Sequence, residues 1–268
     1  MSVSRAHRFA VALAALISIR QLPVHAQEAD PHAAQPERPT VSTHAGTVAP
    51  GWVEVEAGFE DDGYADRSHG DLGPVALKIG LARQAQLTIQ DSIVRAPGAG
   101  TTGFGDVAIG VKWRSIEHAP LVGNFAILPS IKMPSGSVAD GDGTGTTDVS
   151  VLLISSHDFR GLSLDVNAGY TTRSGNGSIA PRSAAVWAAA FAGPVTSRLG
   201  WTSEVFGYPG TSGEAGTPPI VGIIEGASFQ VRKWLVVDAG FAAPITGPQP
   251  HAAFVGVVYN VGQLRKRI

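Results

Sequence analysis

The chain has 268 residues, of which 16% are charged, 33 are glycines and none is cysteine. The lack of cysteine excludes disulfides, thiolate metal sites and a lipid-modified cysteine anchor. The formal net charge is −2, and a nucleic-acid partner is not expected, because binding phosphates requires a basic surface.

The first 26 residues have the form of a secretory signal peptide. Arg5 and Arg8 precede an apolar run, and Val24-His25-Ala26 places small residues at a cleavage site. We therefore expect cleavage after this tripeptide, so that the mature chain begins at Gln27. Such a signal indicates export from the cytoplasm.

The next segment, residues 27–50, is rich in Pro, Ala, His and Thr and shows no hydrophobic periodicity. This composition predicts a flexible periplasmic lead-in. His32 and His44 lie in it, but isolated histidines in a polar linker are usually solvated. We therefore expect no metal site and no cofactor here.

From residue 51 onward, polar and apolar residues alternate with the period of two that is typical of β-strands. Residues 106–114 are the clearest case, because Val107, Ile109, Val111 and Trp113 alternate with more polar or smaller residues. Twelve strands are predicted, at residues 51–59, 75–81, 84–94, 106–114, 124–132, 148–156, 162–172, 183–192, 198–207, 219–229, 235–243 and 251–261.

The connections between these strands alternate between five short turns and six longer loops rich in Gly, Ser, Thr and Pro. In lipid, every backbone N–H and C=O must be satisfied within the protein, so only helices or a closed sheet can span. The pattern therefore predicts that residues 51–268 form a transmembrane antiparallel up-and-down β-barrel with both termini in the periplasm. The expected location is the outer membrane of a Gram-negative bacterium.

Residues 103–114 contain a Gly-Phe-Gly-Asp motif followed by Gly110-Val111-Lys112. This stretch resembles the Gly-x-Gly-Asp, Gly-x-Lys signature of the outer-membrane "transporter" family named for the meta-pathway of phenol degradation. Further similar stretches are Arg38-Pro39 with residues 48–56, residues 77–81 and residues 128–136. The resemblance implies an outer-membrane barrel that passes small, aromatic or hydrophobic molecules, without implying a particular substrate.

Ten charged residues fall on the polar faces of the predicted strands, and we expect them to line the lumen. A charge on the lipid-facing side would cost about 2–4 kcal/mol at the midplane for Lys or Arg. The charges of residues 106–132 could filter an anionic or polar solute, or they could pair across a narrow interior with Glu54, Glu56, Asp165, Glu204 or Asp238. The ten residues are Glu54, Glu56, Lys78, Asp106, Lys112, Arg114, Lys132, Asp165, Glu204 and Asp238.

Two other groups of residues resemble known sites in part. Asp140, Asp142 and Asp148 interleave with Gly and Thr, but they lack the bidentate Glu of a full calcium loop. Residues 155–158 read Ser-Ser-His-Asp, yet adjacent residues on a tight turn do not easily form a nucleophile, base and orienter. We therefore predict no catalytic site.

The sequence thus predicts a conduit for passive or weakly selective uptake of small molecules. Its expected partners are outer-membrane lipid, a small-molecule solute and the barrel-assembly machinery. Two alternatives stay open: an outer-membrane lipid or ester hydrolase, and a structural barrel sealed by its own side chains.

Overall fold

The structure is a computed structural model that describes residues 30–66 and 68–264. The predicted signal peptide lies outside these residues. Among them, no helix is both long and apolar enough to cross a membrane. The strands are β1 Trp52–Gly63, β2 His69–Ala82, β3 Ala85–Arg95, β4 Gly103–Phe104, β5 Ala108–Ala119, β6 Gly123–Lys132, β7 Asp148–Phe159, β8 Leu162–Arg173, β9 Ser183–Pro194, β10 Leu199–Tyr208, β11 Ile220–Arg232, β12 Leu235–Thr246 and β13 His251–Gln263.

The strands close into one antiparallel barrel of twelve long strands. Each long strand pairs with its neighbours in sequence, and β1 pairs with β13 to complete the ring. The two-residue strand β4 pairs only with β3, while β3 continues to β5. Closure pairs the backbone N–H and C=O groups of the two edge strands, which would otherwise have no hydrogen-bond partner in lipid. The predicted transmembrane up-and-down barrel is confirmed.

Strand boundaries differ from the prediction at both ends of the barrel. At one end β5 continues to Ala119, five residues further than predicted, and at the other end β1 and β2 are longer. β1 continues to Gly63 and β2 begins at His69, and in this extension Asp61 pairs with Asp71. These extensions are acidic and glycine-rich, so hydrophobic periodicity does not reveal them. We call this end, which also carries the loop 133–147, the long-loop end, and the opposite end, which carries the turn 83–84, the short-turn end.

The two faces of the wall differ as the alternation predicts. On β5, Val111 and Trp113 are exposed, whereas Lys112 between them is fully buried. On β7, Leu153 is exposed and Ile154 is fully buried. In a closed single sheet, an alternating exposed apolar row faces lipid and the buried row faces the lumen.

Residues 31–50 are not the flexible lead-in that their composition predicted. They run inside the barrel, where Ser42, Ala45 and Val48 are almost completely buried. We call residues 31–50 the inner segment. Its close approach to the wall requires a glycine at one position, because a Cβ on Gly80 would lie 2.0 Å from the carbonyl oxygen of Ala49.

Two apolar clusters fill parts of the lumen. One consists of Ala45 of the inner segment with Ala126 and Ile154 of the wall. The other lies between β9 and β13, with Val41 of the inner segment packed against it, and contains Ala188, Phe206, Ile224, Ala242, Ala252 and Phe254. The inner segment therefore packs into the barrel as well as hydrogen-bonding to it.

Candidate functional site in the barrel lumen

The inner segment is held by side chains of the barrel wall. Among the described residues, seven of its backbone N–H groups donate to wall side chains. A chain without regular structure needs such partners when it is buried. The contacts are Gln35 N to Glu54 (2.7 Å), Glu37 N to Glu56 (2.8 Å), Val41 N and Ser42 N to Glu204 (2.7 Å each), Thr43 N to Asn167 (2.8 Å), Ala45 N to Ser156 (2.8 Å) and Val48 N to Gln86 (2.9 Å).

Lys78 joins two of these wall carboxylates to the inner segment. Its Nζ lies 2.6 Å from Glu54 Oε1 and 2.6 Å from Glu56 Oε1. It also donates to the carbonyl oxygen of Gln35 at 2.6 Å. The Lys78 side chain is fully buried, and a buried charge requires such close, hydrogen-bonded partners.

Lys112 is bound almost entirely by the inner segment. Its ammonium group donates to the carboxylate of Glu37, to Thr43 Oγ1 at 3.0 Å and to the carbonyl oxygen of His44 at 2.8 Å. A fourth contact reaches the carbonyl oxygen of Gly46 at 3.2 Å. Lys112 therefore fixes the path of the inner segment across the lumen.

A second polar cluster fastens the loop 133–147 at the long-loop end. Asp106 accepts from Thr144 N at 2.9 Å and from Gly136 N at 3.0 Å, and Lys132 also donates to it. Burial alone would raise the pKa of Asp106, but the bonds from Lys132, Thr144 and Gly136 lower it to about 2. The carboxylate thus stays ionised and keeps the loop attached in mildly acidic conditions.

The same cluster explains the Gly-Phe-Gly-Asp motif. A Cβ on Gly103 would lie 1.8 Å from Asp142 Oδ2 of the loop, and Asp106, three residues later, binds the loop backbone. Asp148, at the other end of the loop, lies 3.6 Å from Lys132 and accepts from Arg173 Nε at 3.1 Å. The motif therefore anchors a loop in this protein.

The remaining predicted residues are dispersed. Arg114 lies beside the short turn, with its Nε 3.1 Å from Glu117. Asp165 accepts from Ser156 Oγ at 2.5 Å. Asp238 lies 3.5 Å from Nε of Arg38 in the inner segment.

The pairing alternative named the wrong carboxylates for two lysines. It offered Glu54, Glu56, Asp165, Glu204 or Asp238 as partners, whereas Lys112 pairs with Glu37 of the inner segment and Lys132 pairs with Asp106. Glu37 and Arg38 were missed because they lie in the segment that was predicted to be flexible. Their only signal was that charged residues follow one another in a polar stretch, which is common in linkers.

The inner segment divides the lumen. Cavities of about 500 Å³ and about 270 Å³ lie at the long-loop end, and one of about 430 Å³ lies at the short-turn end, beside Asn124 and Ser163. Arg38 and Thr40 line all three cavities. Arg38 and Thr40 therefore border the space on both sides of the inner segment.

The Ser-Ser-His-Asp stretch does not assemble a relay. Ser155 Oγ lies 3.1 Å from His157 Nε2, and both residues have the outward parity of β7. Asp158 has the opposite parity and accepts from Gly161 N at 3.3 Å. Within residues 30–66 and 68–264, no group of three or more His, Asp or Glu side chains could hold a metal ion.

The fold and the polar lumen define the class as outer-membrane β-barrel proteins. A family model described as "Putative MetA-pathway of phenol degradation" matches residues 37–247, and the chain belongs to this family. The matched region begins at Glu37, so it includes most of the inner segment. A comparison with curated protein sequences found no significant match.

Two solved structures show the same fold. An outer membrane channel from Pseudomonas putida F1 superposes with a TM-score of 0.63 at 9% sequence identity, covering 80% of this chain and 97% of that chain. A KdgM porin superposes with a TM-score of 0.51 at 13% identity, covering 77% of this chain and 98% of that chain. At these identities the similarity concerns the architecture of the barrel.

Proposed function

We propose that this protein is an outer-membrane conduit that passes small molecules, aromatic or hydrophobic ones among them, passively or with weak selectivity. The observation that carries the proposal is the divided lumen, in which cavities lie towards both ends and, among the described residues, the inner segment runs between them. The short-turn end faces the periplasm and the long-loop end faces outward, as is usual for such barrels. The barrel-assembly machinery inserts the mature chain after its signal peptide is removed.

Opening this conduit requires the inner segment to move. The wall is a closed ladder of backbone hydrogen bonds, so widening the wall would break many of them together. The inner segment is instead held by individual bonds to side chains, each worth about 0.5–1.5 kcal/mol, or about 1.5–3 kcal/mol where the acceptor is charged. Displacing part of the segment is therefore the less costly way to join the two ends of the lumen.

An engineered disulfide tests the proposal directly, because the protein has no cysteine of its own. Ala45 N lies 2.8 Å from Ser156 Oγ, so the two residues are neighbours in the lumen, and a disulfide between them requires Cβ atoms about 3.5–4.5 Å apart. In planar bilayers, the Ala45→Cys/Ser156→Cys protein should conduct less when oxidised than when reduced. The single variant Ser156→Cys is the control and should not respond to oxidant.

The flux of neutral solutes should also be lower through the oxidised variant than through the reduced one. Liposomes containing the reduced protein should swell in a panel of small neutral solutes, and those containing the oxidised protein should swell more slowly. A reduced protein that is folded yet passes neither ions nor solutes would overturn the conduit and establish a sealed structural barrel. Equal conductance in both redox states would show that the inner segment does not control the path.

A further inference from the structure

The smaller cavity at the long-loop end has the size and lining of a ligand site. Its volume is about 270 Å³, whereas an apolar cavity of about 150 Å³ is enough to bind benzene. A ring with a short substituent therefore fits. The apolar side of the cavity is formed by Phe206, Ile224, Ala242, Ala252 and Phe254.

Glycines of neighbouring strands create this space. A Cβ on Gly222 would lie 2.6 Å from Phe206 Cζ, and a Cβ on Gly240 would lie 2.6 Å from Phe254 Cζ. Both aromatic rings can therefore lie against the wall rather than project across the lumen. The rings of Phe206 and Phe254 therefore form an aromatic surface on one side of the cavity.

The opposite side of the cavity offers hydrogen-bond acceptors. Glu60 and Asp62 lie two residues apart on β1, so their side chains are on the same face of the strand and both line the cavity. Asp62 Oδ1 and Gln249 Oε1 are buried and accept no hydrogen bond from the described residues. Because a buried acceptor without a donor is costly, these atoms favour a ligand that donates hydrogen bonds.

The net charge of the cavity determines which kind of hydrogen-bond donor is favoured there. Arg38 is the cation that lines it, but its guanidinium lies 3.5 Å from Asp238, a buried carboxylate that offsets its charge. Glu60 and Asp62 interact with each other, and even where they share one proton the pair leaves the site negative. A positive ligand group is favoured there, and an aromatic face can add a cation–π contribution.

We propose that this cavity is a binding site for a small organic cation, namely a primary ammonium group on an apolar or aromatic body. The body lies on Phe206 and Phe254, and the ammonium donates to Asp62, Glu60 and Gln249. The inference rests on the proposed function for access to the site from outside. Binding at equilibrium does not require conduction, so the two can fail separately.

Calorimetry on the full mature protein in nonionic detergent tests the site with three probes of similar size. 2-Phenylethylamine should bind at least about tenfold more tightly than 2-phenylethanol, because a charge-assisted hydrogen bond replaces a neutral one. Phenylacetate should show no binding at the same concentrations. Equal affinity for the amine and the alcohol would overturn the cation specificity.

Variants locate the binding. Glu60→Gln/Asp62→Asn should reduce amine affinity about tenfold or more, and Ala242→Phe should abolish binding by filling the cavity. Asp61→Asn is the matched control, since Asp61 lies between the two carboxylates in sequence and bonds to His69 at 3.1 Å. If Asp61→Asn weakens binding as much as the double change, the amine is attracted by the overall negative charge of the barrel rim. That outcome would contradict the proposed site. Heat-modifiability on gels confirms that each variant is folded.

Discussion

At the scale of single residues, the buried lysines of the lumen act as structural groups. Lys78 and Lys112 are fully buried, and Lys132 is mostly buried beside Asp106. Each therefore has its charge satisfied by fixed acceptors instead of facing an open path. Reversing Lys112 and Lys132 to Glu should consequently destabilise the protein rather than produce a clean change in ion preference.

The substitution Lys112→Met tests this role. It leaves the buried carboxylate of Glu37 without its closest cation, and breaking a buried ion pair in this way costs about 3–5 kcal/mol. We expect the free energy of unfolding in guanidinium chloride to fall by that order. Adding Glu37→Gln should restore part of the loss, because the unpaired charge is then removed.

Arg83→Ala provides the comparison for a surface pair. Arg83 is 79% exposed and lies 3.0 Å from Glu117, so its loss should cost at most about 1 kcal/mol. If Lys112→Met costs no more than Arg83→Ala, the contact between Lys112 and the inner segment contributes little to stability.

At the scale of elements, the two faces of each strand face different surroundings. β7 provides a matched pair of positions, because Leu153 is exposed on its outer face and Ser150 lines the 500 Å³ cavity on its inner face. The alternation that separates them is readable from the sequence. The consequences of substitution should therefore differ sharply between near neighbours.

We expect Leu153→Arg to impair insertion and Ser150→Arg to be tolerated. An arginine at Leu153 enters hydrocarbon near the middle of the strand, at a cost of about 2–4 kcal/mol, whereas an arginine at Ser150 enters an aqueous cavity. The fraction of heat-modifiable protein in membranes measures the difference. Equal tolerance at both positions would contradict the assignment of the faces.

At the scale of the whole molecule, the barrel and the predicted signal peptide together predict where the protein should be found. Membrane fractionation should recover the mature chain in the outer membrane, and N-terminal sequencing should begin at Gln27. The folded protein should migrate differently on gels before and after heating, since a closed barrel resists detergent until it is boiled. Recovery as a soluble periplasmic protein would contradict this location.

The sequence by itself determined the wall of the barrel. The position of each strand, and the face on which each of its side chains lies, follow from the alternation of polar and apolar residues. This alternation is a property of residues that are close together in the sequence. For the same reason, the alternation alone places Glu54, Lys78 and Lys112 on the polar face of the wall. Lys112 thus had the correct orientation, although its partner could not be read from its own strand.

Only the tertiary structure decided what fills the lumen. Thr43 bonds to Asn167, which lies 124 residues away, and Val41 bonds to Glu204, which lies 163 residues away. The inner segment makes such bonds through its backbone, so its side chains need no periodicity and its composition resembles that of a linker. Its path exists only once the closed wall brings Glu54, Glu204 and Asn167 around one space, because no local pattern records which distant side chain will meet a given N–H group.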